Sequence, residues 1–157
     1  MHAVTAAVLL SEMAAWYSLQ GMTLVDALDK LYEKYGAYAE RTINLVMPGL
    51  DGQKKMAELM EKLRNAAPAE IGGTKVAKVR DYQPGTETDC ATGAVSEMEL
   101  KESNVLSFVL ADGTVILVRP SGTEPKVKVY ILTQGKDPAE RDERVAKYSA
   151  WGEALKN

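Results

Sequence analysis

The sequence predicts an α+β fold: a mostly antiparallel sheet of four to five strands with two helices on one face. Two observations carry this. After residue 36 the patterned segments run strand, helix, strand, hairpin, strand, helix, an order that calls for one sheet layered against its helices. Within it, Leu106, Phe108 and Leu110 alternate with Ser107 and Val109 and lead into Asp112-Gly113. That pair favours a two-residue type I′ turn, whose twist matches the strands it joins. A chain of 157 residues holds one such domain with a small remainder.

Residues 3–19 read as a helix that is apolar nearly all round, with Val4, Val8, Leu9, Met13 and Trp16 on more than one face. Such a helix needs burial on several sides, so exposed apolar surface and self-association through residues 3–19 are expected. Its start at Met1-His2 has no clear cap and reads as a cut through a longer element. Thr23-Leu-Val-Asp26 is a capping-box start with Asp in place of Glu, and Leu24, Leu28, Leu31 and Tyr35 follow at helical spacing until Gly36 closes the helix. Ala37–Met47 has strand composition in its second half and ends at Pro48-Gly49. Asp51 is placed to cap a helix with Met56, Leu59, Met60 and Leu63 on one face, and Pro68 stops it. Ile71–Tyr82, interrupted early by Gly72-Gly73, reads as a strand. Residues 83–99 carry Pro84, Gly85, Gly93 and many Thr and Asp without a period, the composition of a mobile excursion. Asp137-Pro138-Ala139-Glu140 combines an N-cap, Pro at N1 and Glu at N3, and Val145, Tyr148, Trp151 and Leu155 give the last helix its apolar side.

Composition excludes several function classes. At 46% hydrophobic and 26% charged, the chain is of ordinary globular make-up. A net charge of −3 argues against a general nucleic-acid or membrane-surface binder. No apolar run reaches the roughly 18 residues that span a bilayer. Cys90 is alone, so no intrachain disulfide forms and a cytoplasmic setting is expected. With His2 as the single histidine, a His/Cys zinc site is not expected, and Asp81, Glu87 and Asp89 lack calcium-loop spacing.

The chemistry concentrates in Arg119-Pro-Ser-Gly-Thr-Glu-Pro-Lys126, a tight loop between the strand-like runs Val115–Val118 and Val127–Ile131. Pro120 and Pro125 limit φ at its two ends, and Gly122 lets backbone N–H groups approach a ligand. Arg119 offers a fork of donors, and Ser121 and Thr123 add hydroxyls. Converging donors of these kinds suit a tetrahedral dianion such as phosphate. The plain alternative is a polar turn whose arginine pairs with Glu124.

These eight residues and their flanks closely resemble the C-terminal phosphate-binding loop of the α-D-phosphohexomutases, the phosphoglucomutase and phosphomannomutase superfamily. Asn104–Thr114 is similar to the hairpin that precedes the loop in the phosphoglucomutase branch, and Ala14–Gly36 looks like the end of the family's third domain. Resemblance runs from about Val4 to Ile131 and is weakest around Thr86–Leu100. It implies that residues 1–36 are a helical remnant of the third domain and that 37–157 form the fourth, phosphate-binding domain, with a TATA-binding-protein-like sheet. The family's phosphoserine, metal and sugar-discriminating loops have no counterpart in this sequence. Magnesium and a hexose bisphosphate activator are therefore implied for the full-length enzyme, with no cofactor in this chain.

For this chain the resemblance implies a substrate anchor rather than a catalytic group. The family's isomerase reaction, an intramolecular phosphotransfer, moves phosphate between the 1- and 6-positions of a hexose, so whichever phosphate is not reacting needs a fixed seat. Arg119 would supply charge and a bidentate contact, Ser121 and Thr123 hydroxyl bonds, and Gly122 and Thr123 backbone N–H donors. Pro120, Glu124, Pro125 and Lys126 would support the loop, Glu124 by orienting it and Lys126 mainly from the solvent face. The expected partners are a phosphorylated hexose, which the resemblance implies is glucose, and the remaining domains of the same enzyme; no nucleic acid or membrane is expected. The rival reading is a free-standing protein-interaction domain whose loop is a structural turn.

Overall fold

The computed structural model describes residues 2–156. Four helices, α1 (His2–Ser18), α2 (Leu24–Tyr35), α3 (Gly52–Asn65) and α4 (Pro138–Ala154), accompany eight strands. The strands are β1 (Ala37–Val46), β2 (Glu70–Ile71), β3 (Thr74–Asp81), β4 (Thr86–Asp89), β5 (Val95–Glu97), β6 (Leu106–Leu110), β7 (Val115–Pro120) and β8 (Lys126–Gly135). They form one antiparallel sheet in the order β1-β8-β7-β6-β3-β4-β5, with β2 paired to β3. The expected α+β class is observed, and its main strands are β1, β8, β7, β6 and β3; β2, β4 and β5 are short additions.

The additions correct the expectation for residues 83–99. They are not a featureless excursion: β4 pairs with β3, and β5 pairs with β4. Neither strand alternates apolar and polar residues, because neither packs a face on the core. Charge and turn chemistry hold them instead. Glu87 lies across from Arg80 and accepts from Arg80 Nε at 2.6 Å and Lys78 Nζ at 2.7 Å. Asp89 Oδ1 accepts from the N–H groups of Ala91 and Thr92 and from the Thr92 hydroxyl, turning the chain into β5. Similarly, the strand expected from Ile71 is a small hairpin, with Ile71 opposite Thr74 across Gly72-Gly73.

The sheet's period of two places Ile43, Leu45, Ile116, Val118, Val127, Val129, Ile131, Leu106 and Phe108 on one face, and all are buried. Met56, Leu59, Met60 and Leu63 of α3 and Tyr148 of α4 pack into the same core. Both helices therefore cover one face, as expected from their stripes. Full burial of each large apolar side chain contributes roughly 1.5–3 kcal/mol, and this face is the source of the domain's stability. α4 comes so close that a Cβ on Gly152 would lie 2.8 Å from Ile43 Cδ1. Trp151 meets Phe108 edge to face, with ring centroids 6.1 Å apart.

The helix ends separate into two groups. The Thr23–Asp26 capping box forms in full, and Asp137 accepts from Glu140 N at 2.9 Å with Pro138 at the first turn. Asp51 departs from expectation: it occupies the N-cap position of α3 without a side-chain cap hydrogen bond. In α2 only Ala27 is buried, so the stripe Leu24, Leu28, Leu31 and Tyr35 faces outward. The expected apolar surface of α1 is present, with Val4, Val8, Leu9, Leu10, Met13 and Trp16 exposed. Met1, to which the expected uncapped start extends, lies outside the described residues. Among the described residues no helix is long and apolar enough to cross a membrane.

Candidate functional site: the loop between β7 and β8

The core that fixes β7 and β8 also fixes the loop between them. Ser121 N donates to Lys126 O at 2.8 Å, closing the loop at its base, and Lys126 N donates to Glu124 O at 2.7 Å. Pro125 is held from the side: its carbonyl accepts from Met47 N at 2.8 Å. It also lies against the first residue of α3. A Cβ on Gly52 would come within 2.8 Å of Pro125 Cβ and 2.3 Å of Met47 O, so only glycine permits this approach. The loop is thus braced against both the end of β1 and the start of α3.

Register decides where the charges point. Val118 and Val129 are paired and face the core, so the next pair, Arg119 and Lys128, stands on the helix-free face. Arg119 is exposed, and among the described residues neither it nor Lys128 forms a salt bridge. The plain alternative, an arginine paired with Glu124, is absent, since Glu124 pairs with Lys126. The hydrogen bond from Lys126, its charge, and the further charge of Lys128 hold the Glu124 carboxyl below its usual range. Glu124 is therefore a carboxylate at neutral pH, neutralising Lys126 and leaving Arg119 and Lys128 as the free cations of this end of the sheet.

Ser121 is half-buried, and Gly122, Thr123, Glu124 and Pro125 are exposed. Thr123 N lies 3.5 Å from Ser121 Oγ, at the limit of a hydrogen bond. The expected reliance of Gly122 on glycine's special backbone freedom is not observed: its φ is outside the left-handed region, and a Cβ there would meet open space. The fold itself does not require glycine at 122.

Pro120, Ser121 and Gly122 form one wall of a groove of about 320 Å³, opposite Gln53, Met56, Ala57 and Met60 of α3, with Asn104 at its end. Arg119 and Thr123 do not line it. A larger depression of about 500 Å³, against Leu59 and Leu155 on the other side of α3, contains no loop residue. The structure therefore brings Ser121 and Gly122 to the groove and sets Arg119, Lys126 and Lys128 on the opposite side of the sheet. Sequence reading missed two residues here. Lys128 becomes a neighbour of Arg119 only through strand register, and Asn104 reaches the groove from a loop that carries no local motif.

No three His, Cys, Asp or Glu residues converge among the described residues. Cys90 is exposed, and burial of its sulfur together with the charge of Asp89 pushes the thiol up, away from a reactive thiolate.

Residues 43–148 match the profile of the phosphoglucomutase/phosphomannomutase C-terminal domain, which spans most of the chain and includes the whole loop. The chain belongs to this family. Over 145 residues it is 34% identical to a probable phosphomannomutase of Haemophilus influenzae, covering 92% of this chain and 26% of that protein. It is 36% identical over 123 residues to a phosphoglucomutase of Staphylococcus aureus, covering 78% of this chain and 22% of the relative. The fold is shared with the phosphoglucomutase parafusin of Paramecium in its open form. That superposition has a TM-score of 0.51 at 18% identity, over 85% of this chain and 22% of the other. The chain spans about a quarter of the length of these relatives, and the family assignment is to their C-terminal domain.

Proposed function

We propose that this chain is the substrate-phosphate anchor of a phosphohexomutase that interconverts hexose 1-phosphate and hexose 6-phosphate through a bisphosphate intermediate, with glucose as the preferred sugar. The observation that carries the reading is Arg119: an exposed guanidinium without a carboxylate partner among the described residues, set beside a loop closed at its base by Ser121 and Lys126 and braced through Pro125. Ser121 and Thr123 add hydroxyls, Gly122 and Thr123 add N–H groups, and Lys128 adds charge across the strand pair. A seat of this kind holds one phosphate while the other reacts, and it contributes position rather than a nucleophile or base. Glu124, although an anion, leaves the seat cationic because Lys126 neutralises it.

In this proposal residues 37–157 form the anchor domain, and 1–36 belong to the preceding domain of the enzyme. The exposed apolar surfaces of α1 and α2 support that division, because they bury almost nothing against the sheet. Magnesium and the hexose bisphosphate serve the complete enzyme, and this chain alone binds phosphate without turning it over. Titration with inorganic phosphate, followed by amide NMR, tests the anchor. Shifts centred on residues 119–123 with a dissociation constant of about a millimolar or weaker are expected, because one loop supplies part of the full contact set. Arg119→Ala removes them. A wild-type spectrum unmoved at saturating phosphate refutes the anchor.

A further inference from the structure

The loop separates two environments of different chemistry. All three of its nearby cations, Arg119, Lys126 and Lys128, stand on the helix-free side of the sheet. The groove on the helix side contains no charged residue: Met56, Ala57, Met60 and Pro120 give it apolar walls, and Gln53 and Asn104 add amides. A dianion gains nothing by entering that groove, whereas a neutral ring bearing hydroxyls matches it, with C–H surface against the methionines and hydroxyls at the amides.

Asn104 is presented to the groove in a set orientation. Its Oδ1 accepts from Arg64 Nη2 at 3.0 Å, which leaves the Nδ2 donors without a partner among the described residues. Arg64 is itself fixed, donating through Nε to Asp81 Oδ2 at 2.7 Å and through Nη1 to Glu61 at 3.1 Å. Both Arg64 and Asp81 are largely buried, with side chains 17% and 12% exposed. Two residues before Asn104, Glu102 is the one non-glycine residue with positive φ among those described, at 66°. Side chains other than glycine adopt that conformation where surrounding structure imposes it.

Gly122 links the two environments. Neither its backbone angle nor its packing requires glycine, and a Cβ there would meet open space. A side chain there would stand at the rim between the loop and the groove.

We infer that the groove between α3 and Ser121–Gly122 receives the uncharged, hydroxyl-bearing part of the phosphorylated ligand, and that Asn104 Nδ2 donates a hydrogen bond to one of its hydroxyls. The ligand crosses the rim at Gly122, its phosphate on the Arg119 side. Asn104 is thereby a specificity-determining residue, distinguishing a sugar phosphate from phosphate alone. The inference rests on the phosphate anchor proposed above.

Parallel amide NMR titrations of this chain with inorganic phosphate and with glucose 1-phosphate test it. In the wild type, glucose 1-phosphate shifts Gln53, Ala57 and Asn104 in addition to the loop, and inorganic phosphate shifts the loop alone. Asn104→Ala weakens glucose 1-phosphate roughly threefold to tenfold, the span of one lost hydrogen bond, and leaves inorganic phosphate unchanged. Equal effects on both ligands, or none on either, overturn the inference while Arg119→Ala still reports on the anchor. Absence of binding by the wild type overturns both.

Discussion

Replacing Tyr148 with phenylalanine removes one oxygen from the network that ties α4 to the β6–β7 turn, and the structure gives the size of the effect. The Tyr148 ring is fully buried, and its hydroxyl lies 2.5 Å from Asp112 Oδ2 and 2.9 Å from Thr74 Oγ1. With one proton to give, it donates to the carboxylate and accepts from the threonine. Asp112 keeps other partners in the variant: Thr114 N at 3.0 Å, and Arg144 Nη1 at 3.6 Å. The loss is thus one hydrogen bond to a charged group, without an orphaned carboxylate or a cavity. Such bonds contribute about 1.5–3 kcal/mol, and with the remaining partners in place a cost of about 2 kcal/mol is expected. That corresponds to a roughly 30-fold fall in the folded-to-unfolded ratio and a drop in Tm of about 4–8 °C for a domain of this size.

The same bond has a pH signature. Burial raises the Asp112 carboxyl, but hydrogen bonds from Tyr148 and Thr114 and the charge of Arg144 outweigh it, and its pKa lies below the ordinary value. A carboxyl depressed by folding contributes stability that is present above its unfolded pKa of about 3.9 and is lost as pH falls through the folded value. Tyr148→Phe removes one of the depressing contacts. Its deficit relative to wild type is therefore largest near neutral pH and shrinks below about pH 4, as Asp112 becomes protonated in both proteins. Urea unfolding at neutral and acid pH measures both quantities. A neutral-pH loss under about 0.5 kcal/mol, or a loss that stays constant into acid, refutes the assignment of the hydrogen bond to a charged carboxylate.

Two further outcomes concern the site and its surroundings. Gly52→Ala places a methyl group against Met47 O and Pro125 Cβ, so the brace behind the loop must shift. A destabilisation of about 1–3 kcal/mol is expected in urea unfolding, together with displaced amide signals over residues 121–126; an unchanged midpoint would mean the brace yields freely. The apolar surface of α1 is expected to drive self-association of this chain, to be read as a mass that rises with concentration in analytical ultracentrifugation. Leu9→Glu combined with Trp16→Glu, at positions 54% and 58% exposed, returns the chain to a monomer, and a double variant that associates as the wild type does places the contact elsewhere.

Local chemistry made much of this molecule legible from its residues. The Thr23–Asp26 box, the Asp137-Pro138 start and the alternation through Val127, Val129 and Ile131 each act over a few residues, and each forms as expected. The hairpin at Asp112-Gly113 forms, but not through the expected two-residue type I′ turn: Gly113 N donates to Leu110 O, so Ala111 and Asp112 are the central residues and only Gly113 has positive φ. The Arg119–Lys126 string likewise marked both the loop and the family to which the chain belongs. What the residues alone left undecided depends on distance in space. β4 and β5 have no periodic apolar face, and their pairing rests on cross-strand contacts such as Arg80–Glu87. Strand register, which no single segment specifies, set Lys128 beside Arg119 and put both on the face away from the helices. Asn104 lies 40 positions from Arg64 and meets it only after α3 has packed on the sheet. Sequence pattern determined the four helices and the main strands and marked the Arg119–Lys126 loop; tertiary packing decided which side of that loop is charged and which is neutral, because that division is created only when strands and helix are brought together.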